Sequence, residues 1–268
     1  MKAEQRLLLQ RCLAGIGEAR PAGGHALLLD DRAIGWLDQP RAALLQSLWP
    51  ALQLEGKTLR WRSAGRSADA LSDEIGAIAE ALRARGEISG WRNERYRCEA
   101  DARSAARGRA LFRLERAAFR FFGLRSRAVH VNGWTTEGRL VCGRRALSKA
   151  TDPGALDNLA AGGLPADEAV LACARRELWE EAGLAHAQSR HLQWRGLIHA
   201  RRIEAEGLHD ELLHVYTLQL PAAFEPRNRD GEVSEFLSLT PEQLCQRLAE
   251  FSPDAAAVVA LELLLQGH

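Results

Sequence analysis

Two short apolar runs, His25–Asp30 and Arg32–Leu37, meet at the turn-forming pair Asp30-Asp31 and predict two strands. Leu71, Ile75, Ile78 and Leu82 then recur at three- and four-residue steps, which predicts an amphipathic helix ending near Gly86. Ala102 through Phe122 predicts a longer helix closed by Gly123. From Ala128 the pattern turns strand-like, over Ala128–Val131, Arg139–Gly143, Leu192–His199, Glu211–Leu220 and Glu235–Leu239. Two helices follow, Pro241–Glu250 and the apolar Pro253–Leu265. The change near Gly123–Arg127 divides the chain into residues 1–123 and 124–268. Neither a repeat nor a low-complexity linker separates them, so the two parts are expected to pack closely.

One helix in the second part carries an unusual polar face. Asp167, after Pro165, suits an N-cap, the residues to Ala182 suit a helix, and Gly183 stands where a left-handed C-terminal cap belongs. Val170, Leu171, Ala174 and Leu178 form the stripe expected to be buried. Glu177, Glu180 and Glu181 project together beside it, because residues three and four apart are neighbours on a helix. Three carboxylates so close repel one another unless a cation lies among them, and hard oxygen ligands select Mg2+ or Mn2+. Arg176 stands four residues before Glu180 and is placed to orient it. A solvated acidic face would leave Gly162, Gly163, Glu168 and Gly183 unexplained. Glu168 is read as support for the loop and helix, with a direct metal role left open.

Composition limits the function classes. The 268 residues, 46% of them hydrophobic, can bury two cores. No apolar run approaches the roughly 20 residues that span a bilayer, and Met1 to Arg6 lacks a signal-peptide pattern, so no membrane association is expected. Cys12, Cys98, Cys142, Cys173 and Cys245 are scattered without a Cys-x-x-Cys pair, which favours reduced thiols in a cytoplasmic protein. Residues 1–120 hold 21 basic and 15 acidic side chains, a balance of +6 that leaves −5 for the rest of a chain of net charge +1. The excess gathers between Arg92 and Arg127. There Arg alternates with Glu and Ala at helical spacing and carries no nucleic-acid motif, so a solvated helix face is expected and no nucleic-acid partner.

Gly162-Gly163-Leu164-Pro165-Ala166-Asp167-Glu168, continuing through Arg176-Glu177-Leu178-Trp179-Glu180-Glu181-Ala182-Gly183-Leu184, resembles the signature of the Nudix hydrolases at every fixed position. That signature is Gly, five residues, Glu, seven residues, then Arg-Glu-aliphatic-any-Glu-Glu-any-Gly-aliphatic. The likeness implies an α/β fold: a Nudix α/β/α sandwich with a mixed sheet, here preceded by a smaller α+β domain. It also implies metal-dependent cleavage of a small-molecule diphosphate. The run Arg144-Arg145-Ala146-Leu147-Ser148-Lys149-Ala150-Thr151-Asp152-Pro153-Gly154-Ala155-Leu156-Asp157-Asn158 is similar to one branch, related to the module fused to fission-yeast thiamine pyrophosphokinase. Val129-His130-Val131-Asn132-Gly133-Trp134, Trp91-Arg92-Asn93-Glu94 and Gly231-Glu232-Val233 resemble it too, as does a preceding domain of about this length. Asp152 departs from the branch, where an aromatic residue often precedes Pro-Gly. Members of the branch cleave thiamine diphosphate and its oxo and oxy analogues to the monophosphate.

By this resemblance Glu177, Glu180 and Glu181 are metal ligands, joined by the carbonyl of Gly162 or Gly163, and Glu177 or Glu181 doubles as base. Glu232 stands where several Nudix enzymes draw a further catalytic carboxylate, with Asp230 and Glu235 as rivals. Only 3 lysines accompany 33 arginines, so Lys149 stands out as a phosphate contact. Arg144 and Arg145 are candidates to share that work by bidentate hydrogen bonds, and strand alternation lets only one of the two face the site. His130, Asn132, Asp157 and Asn158 are candidates to read a pyrimidine edge, and Trp134 offers a stacking surface. Trp36, Trp49, Trp61 and Trp91 are expected in the N-terminal core. A homodimer is left open. Isopentenyl diphosphate isomerase chemistry is disfavoured because Leu156–Ala161 contains no cysteine. A nucleoside-diphosphate-sugar or dinucleotide pyrophosphatase is the alternative enzyme, and a non-catalytic diphosphate-binding regulator the alternative from another class.

Overall fold

The computed structural model describes residues 2–17, 23–99, 110–221 and 224–267. The N-terminal portion comprises α1 (Ala3–Gly15), β1 (His25–Leu29), β2 (Arg32–Leu37), α2 (Gln39–Leu48), β3 (Gln53–Glu55), β4 (Thr58–Trp61), α3 (Ala68–Ala84), β5 (Arg95–Glu99), β6 (Ala110–Glu115) and α4 (Ala118–Phe122). Its sheet runs β2-β1-β4-β3, with β1 parallel to β4, and β5 and β6 form a separate antiparallel pair. Asp30 has φ 55°, a left-handed turn between β1 and β2 as its residue type favours. Trp49 and Trp61 are buried edge to face with ring centroids 4.8 Å apart, and both indole N–H groups donate to Glu74. Trp36 and Trp91 are only partly buried.

The helix expected over Ala102–Phe122 does not form as such. Residues 102–109 lie outside the described residues; beyond them stand β6 and the short α4. Phe112 and Leu114 face inward while Arg113 faces out, a period of two that β5 completes by pairing Tyr96 with Leu114 and Cys98 with Phe112. Read locally, the same residues were compatible with helical spacing; the cross-strand partner makes the choice.

The second portion comprises β7 (Arg125–Trp134), β8 (Leu140–Arg145), β9 (Leu156–Asp157), β10 (Ala160–Gly163), α5 (Val170–Ala182), β11 (Gln193–Glu204), β12 (Gly207–Gln219), β13 (Val233–Leu239), α6 (Pro241–Gln246) and α7 (Pro253–Gln266). A mixed sheet runs β11-β12-β7-β8-β13, with β10 added on β7 and β9 on β8; β12 is parallel to β7. Side chains alternate along β7: Val129 and Val131 join Leu178 and Ala182 under α5, whereas Ala128 joins Ala257 and Val258 under α7. The result is an α/β/α sandwich with a mixed sheet. Leu9 of α1 is buried with Val259 and Leu263 of α7, so the first helix packs on the second portion. The expected helix Pro241–Glu250 is interrupted after Gln246 and resumes as a 3₁₀ turn over Leu248–Glu250. Among the described residues no helix is long and apolar enough to cross a membrane.

Helix α5 differs from expectation at its start. Ala169, extended and without a side-chain cap, is the N-cap residue, and Asp167 instead pairs with Arg113. Gly183, with φ 70°, ends the helix as expected. Leu171 is 40% exposed, because the inward face is Cys173, Ala174, Glu177, Leu178, Glu181 and Ala182. The buried stripe thus includes two of the glutamates rather than running beside them.

Candidate active site

Strand β10 is the floor of the site. Gly162 pairs with Val129 and Gly163 with Ala128, so their missing side chains would point to opposite faces of the sheet. A Cβ on Gly162 would overlap the Glu177 carboxylate, so the glycine leaves room for that side chain against the strand. Glu181 reaches the same strand, its Oε2 accepting the Ala161 N–H at 2.8 Å. Glu177 and Glu181 are only 8% and 6% exposed.

Burial pushes the Glu177 carboxyl up to about 6; Arg176, 2.8 Å away, opposes the rise and Glu180 adds to it. Glu181 is raised well above the usual carboxylate range, first by burial and then by Glu177 and Asp157. Two buried carboxyls, each raised by burial and by neighbouring carboxylates, form an oxygen donor set, and a hard divalent cation offsets both causes. The residues present therefore fit such an ion, which Glu177 and Glu181 would hold. The Gly163 carbonyl already accepts the Cys173 thiol at 3.4 Å.

Glu180 lies further round the helix, its side chain 40% exposed and held by Arg176 at 2.9 Å. The same guanidinium takes Glu168 through Nε and Nη2 at 2.8 to 3.2 Å. Arg176 thereby ties the loop before α5 to the carboxylates on it.

The turn before β13 closes the other side. One carboxylate oxygen each from Glu181, Asp230 and Glu232 lies within 4.8 Å of the others. Lys149 is ion-paired with Glu232, and the Ala146 N–H donates to the Glu232 carbonyl at 2.8 Å, so the run before β9 is joined to this turn. Glu235 is exposed and pairs with Arg144, which brings Asp230 rather than Glu235 to Glu181. The two arginines diverge. Arg145 bonds Asp157 at 2.6 Å and the Thr151 carbonyl, while Arg144 bonds the Gly154 carbonyl and Glu235.

His130, Asn132 and Asn158 are brought together but turned inward. His130 Nδ1 lies 2.8 Å from Asn158 Oδ1, and Asn158 Nδ2 donates to Asn132 Oδ1 at 2.8 Å, all three being buried. Trp134 is no stacking surface: it is buried beneath α7 with Leu140 and Leu156, its N–H 3.3 Å from Glu262. The expectation failed because the alternation of β7 turns residue 134 away from α5. Sequence reasoning missed Tyr96 of β5, whose hydroxyl occupies the space of a Gly163 Cβ. A residue 67 positions before its neighbour leaves no spacing signal.

The NUDIX domain family matches residues 124–261, and a domain of unknown function (DUF4743) matches residues 8–126. With half the chain matched over this fold and site, the protein belongs to the NUDIX family. It is 34% identical over 197 residues to Nudix hydrolase 24, chloroplastic, of Arabidopsis thaliana, covering 72% of this chain and 53% of that protein. Nudix hydrolase 20, chloroplastic, of the same plant is 34% identical over 186 residues, covering 67% and 49%. The uncharacterized Nudix hydrolase YfcD of Escherichia coli is 34% identical over 139 residues, covering 52% and 72%. The chain spans about half the length of the two plant relatives it matches.

Proposed function

We propose that this chain is a divalent-metal-dependent pyrophosphatase acting on a small-molecule diphosphate. The observation that carries the reading is the burial of Glu177 and Glu181 of α5 against the glycine strand β10, with Asp230 and Glu232 close to Glu181. A bound Mg2+ or Mn2+ ion supplies Lewis-acid polarisation of a phosphoryl oxygen and eases deprotonation of water. The protein's own residues supply the rest. Glu177, Glu181 and the Gly162 carbonyl hold the ion, and Glu180 lends charge from the rim. Glu232 accepts the proton of the attacking water, with Asp230 beside it. Lys149, ion-paired with Glu232 of this turn, faces the charge of the diphosphate, and Arg145 is held on Asp157.

The substrate we infer is thiamine diphosphate together with its oxo and oxy analogues, cleaved to the monophosphate and phosphate. This finer reading is supported by the sequence likeness of the run Arg144 to Asn158, and by the junction of that run with the turn at Glu232. A magnesium-dependent phosphate-release screen over thiamine, nucleotide-sugar and dinucleotide diphosphates tests both levels. Oxidised thiamine diphosphates are expected to show the highest kcat/KM. A nucleotide sugar or dinucleotide ahead by about tenfold, or 1.4 kcal/mol, overturns the substrate and leaves the chemistry; no turnover of any diphosphate overturns the chemistry.

A further inference from the structure

Strand β10 is gripped on both faces. On the α5 side Glu177 lies against Gly162, and Glu181 holds the Ala161 N–H. On the opposite side Tyr96, from β5 of the N-terminal portion, fills the space of the missing Gly163 side chain. Tyr96 is itself held: it is buried, its ring meets Phe119 edge to face at 5.5 Å, and the Arg116 guanidinium lies 5.5 Å from the ring centroid. The segment leading to α5 meets the same region. The Ala166 N–H donates to the Arg95 carbonyl at 2.8 Å, Arg113 pairs with Asp167 at 2.7 Å, and Arg127, whose carbonyl accepts the Leu164 N–H, pairs with Glu99.

We propose that the N-terminal portion is a brace for the metal-binding strand, with Tyr96 as the positioning residue that sets how closely β10 approaches α5. The proposal rests on the reading that Glu177, Glu181 and Gly162 hold a divalent ion. The ladder to β7 sets the register of β10, but two adjacent glycines have no side chains to resist a shift toward either face, so the groups packed on each face limit that shift. Glu177 bounds the strand on one face only. The backstop is Tyr96, and a gap behind Gly163 lets the strand and its carbonyl recede from the ligands. A metal site tolerates such displacement poorly, since loss of an outer-shell partner commonly lowers metal affinity roughly 10–100-fold.

The test is Mn2+ binding by calorimetry on the full chain, with Tyr96→Leu, Gly163→Ala, the double variant, and Glu177→Gln as control. Tyr96→Leu opens a gap behind the strand, and Gly163→Ala forces a methyl into the phenol; each is expected to raise the Mn2+ dissociation constant about tenfold. In the double variant the methyl occupies the gap, so binding is expected to be tighter than in either single variant. If Gly163→Ala alone does not fold, Tyr96→Leu and the double variant decide. A merely structural contact would shift melting temperature and leave Mn2+ affinity within twofold of wild type. That result, with Glu177→Gln losing binding, overturns the brace, as does a double variant weaker than both singles. Wild type that binds no Mn2+ overturns the proposed function and the brace with it.

Discussion

Glu181 Oε2 accepts the Ala161 N–H at 2.8 Å, so a carboxylate of α5 is anchored one residue before Gly162. A glutamine at 181 keeps that acceptor and loses the charge. Glu181→Gln and Glu177→Gln are expected to fold and to lower magnesium-dependent turnover by about two orders of magnitude or more. Because burial already raises both carboxyls, removing the charge should not lower the melting temperature in chelator. Normal turnover in both variants would rule out the proposed site.

Gly162→Ala tests the close approach itself. The added Cβ has to displace the Glu177 carboxylate, at an overpacking cost of about 1–3 kcal/mol. Far-UV circular dichroism should match wild type while Mn2+ affinity falls about tenfold or more. Unchanged affinity would show that Glu177 does not need this position.

The Lys149–Glu232 pair separates two roles within one contact. Glu232→Gln should lower kcat with little change in KM, as expected of a group acting on the attacking water. Lys149→Ala should weaken diphosphate binding by roughly 1.5–3 kcal/mol and leave the unphosphorylated vitamin unaffected. Should Asp230→Asn show the kcat effect and Glu232→Gln not, the base lies two residues upstream.

On the far face of the sheet, His209 Nε2 lies 3.3 Å from Asp254 Oδ2 and 3.8 Å from Glu211 Oε2. Burial opposes protonation of the ring, but the two carboxylates outweigh it and hold His209 above its usual 6.5. A raised folded value adds stability that is complete below the unfolded value and is lost as pH rises through the folded one. Urea unfolding should therefore show the widest gap between wild type and His209→Asn below about pH 6.5, narrowing in alkali. A gap independent of pH would contradict the charged pairing.

The acidic face of α5 was legible because its logic is local. Glu177, Glu180 and Glu181 share a side of any helix that contains them, and Gly183 caps it wherever it packs. The strand character after Ala128 was legible for a similar reason, since period-two runs of apolar residues pack poorly as anything else. Spacing cannot show how far a face turns inward, which is why Leu171 was expected inside and Glu177 beside the stripe. Nor does it show partners far along the chain. Phe112 and Leu114 became strand residues through β5, Trp134 went into the core under α7, and Lys149 met Glu232 across 83 positions. Tyr96 behind Gly163 is the extreme case. Its role depends on the absence of a side chain on a strand that packing, not sequence proximity, brings to it.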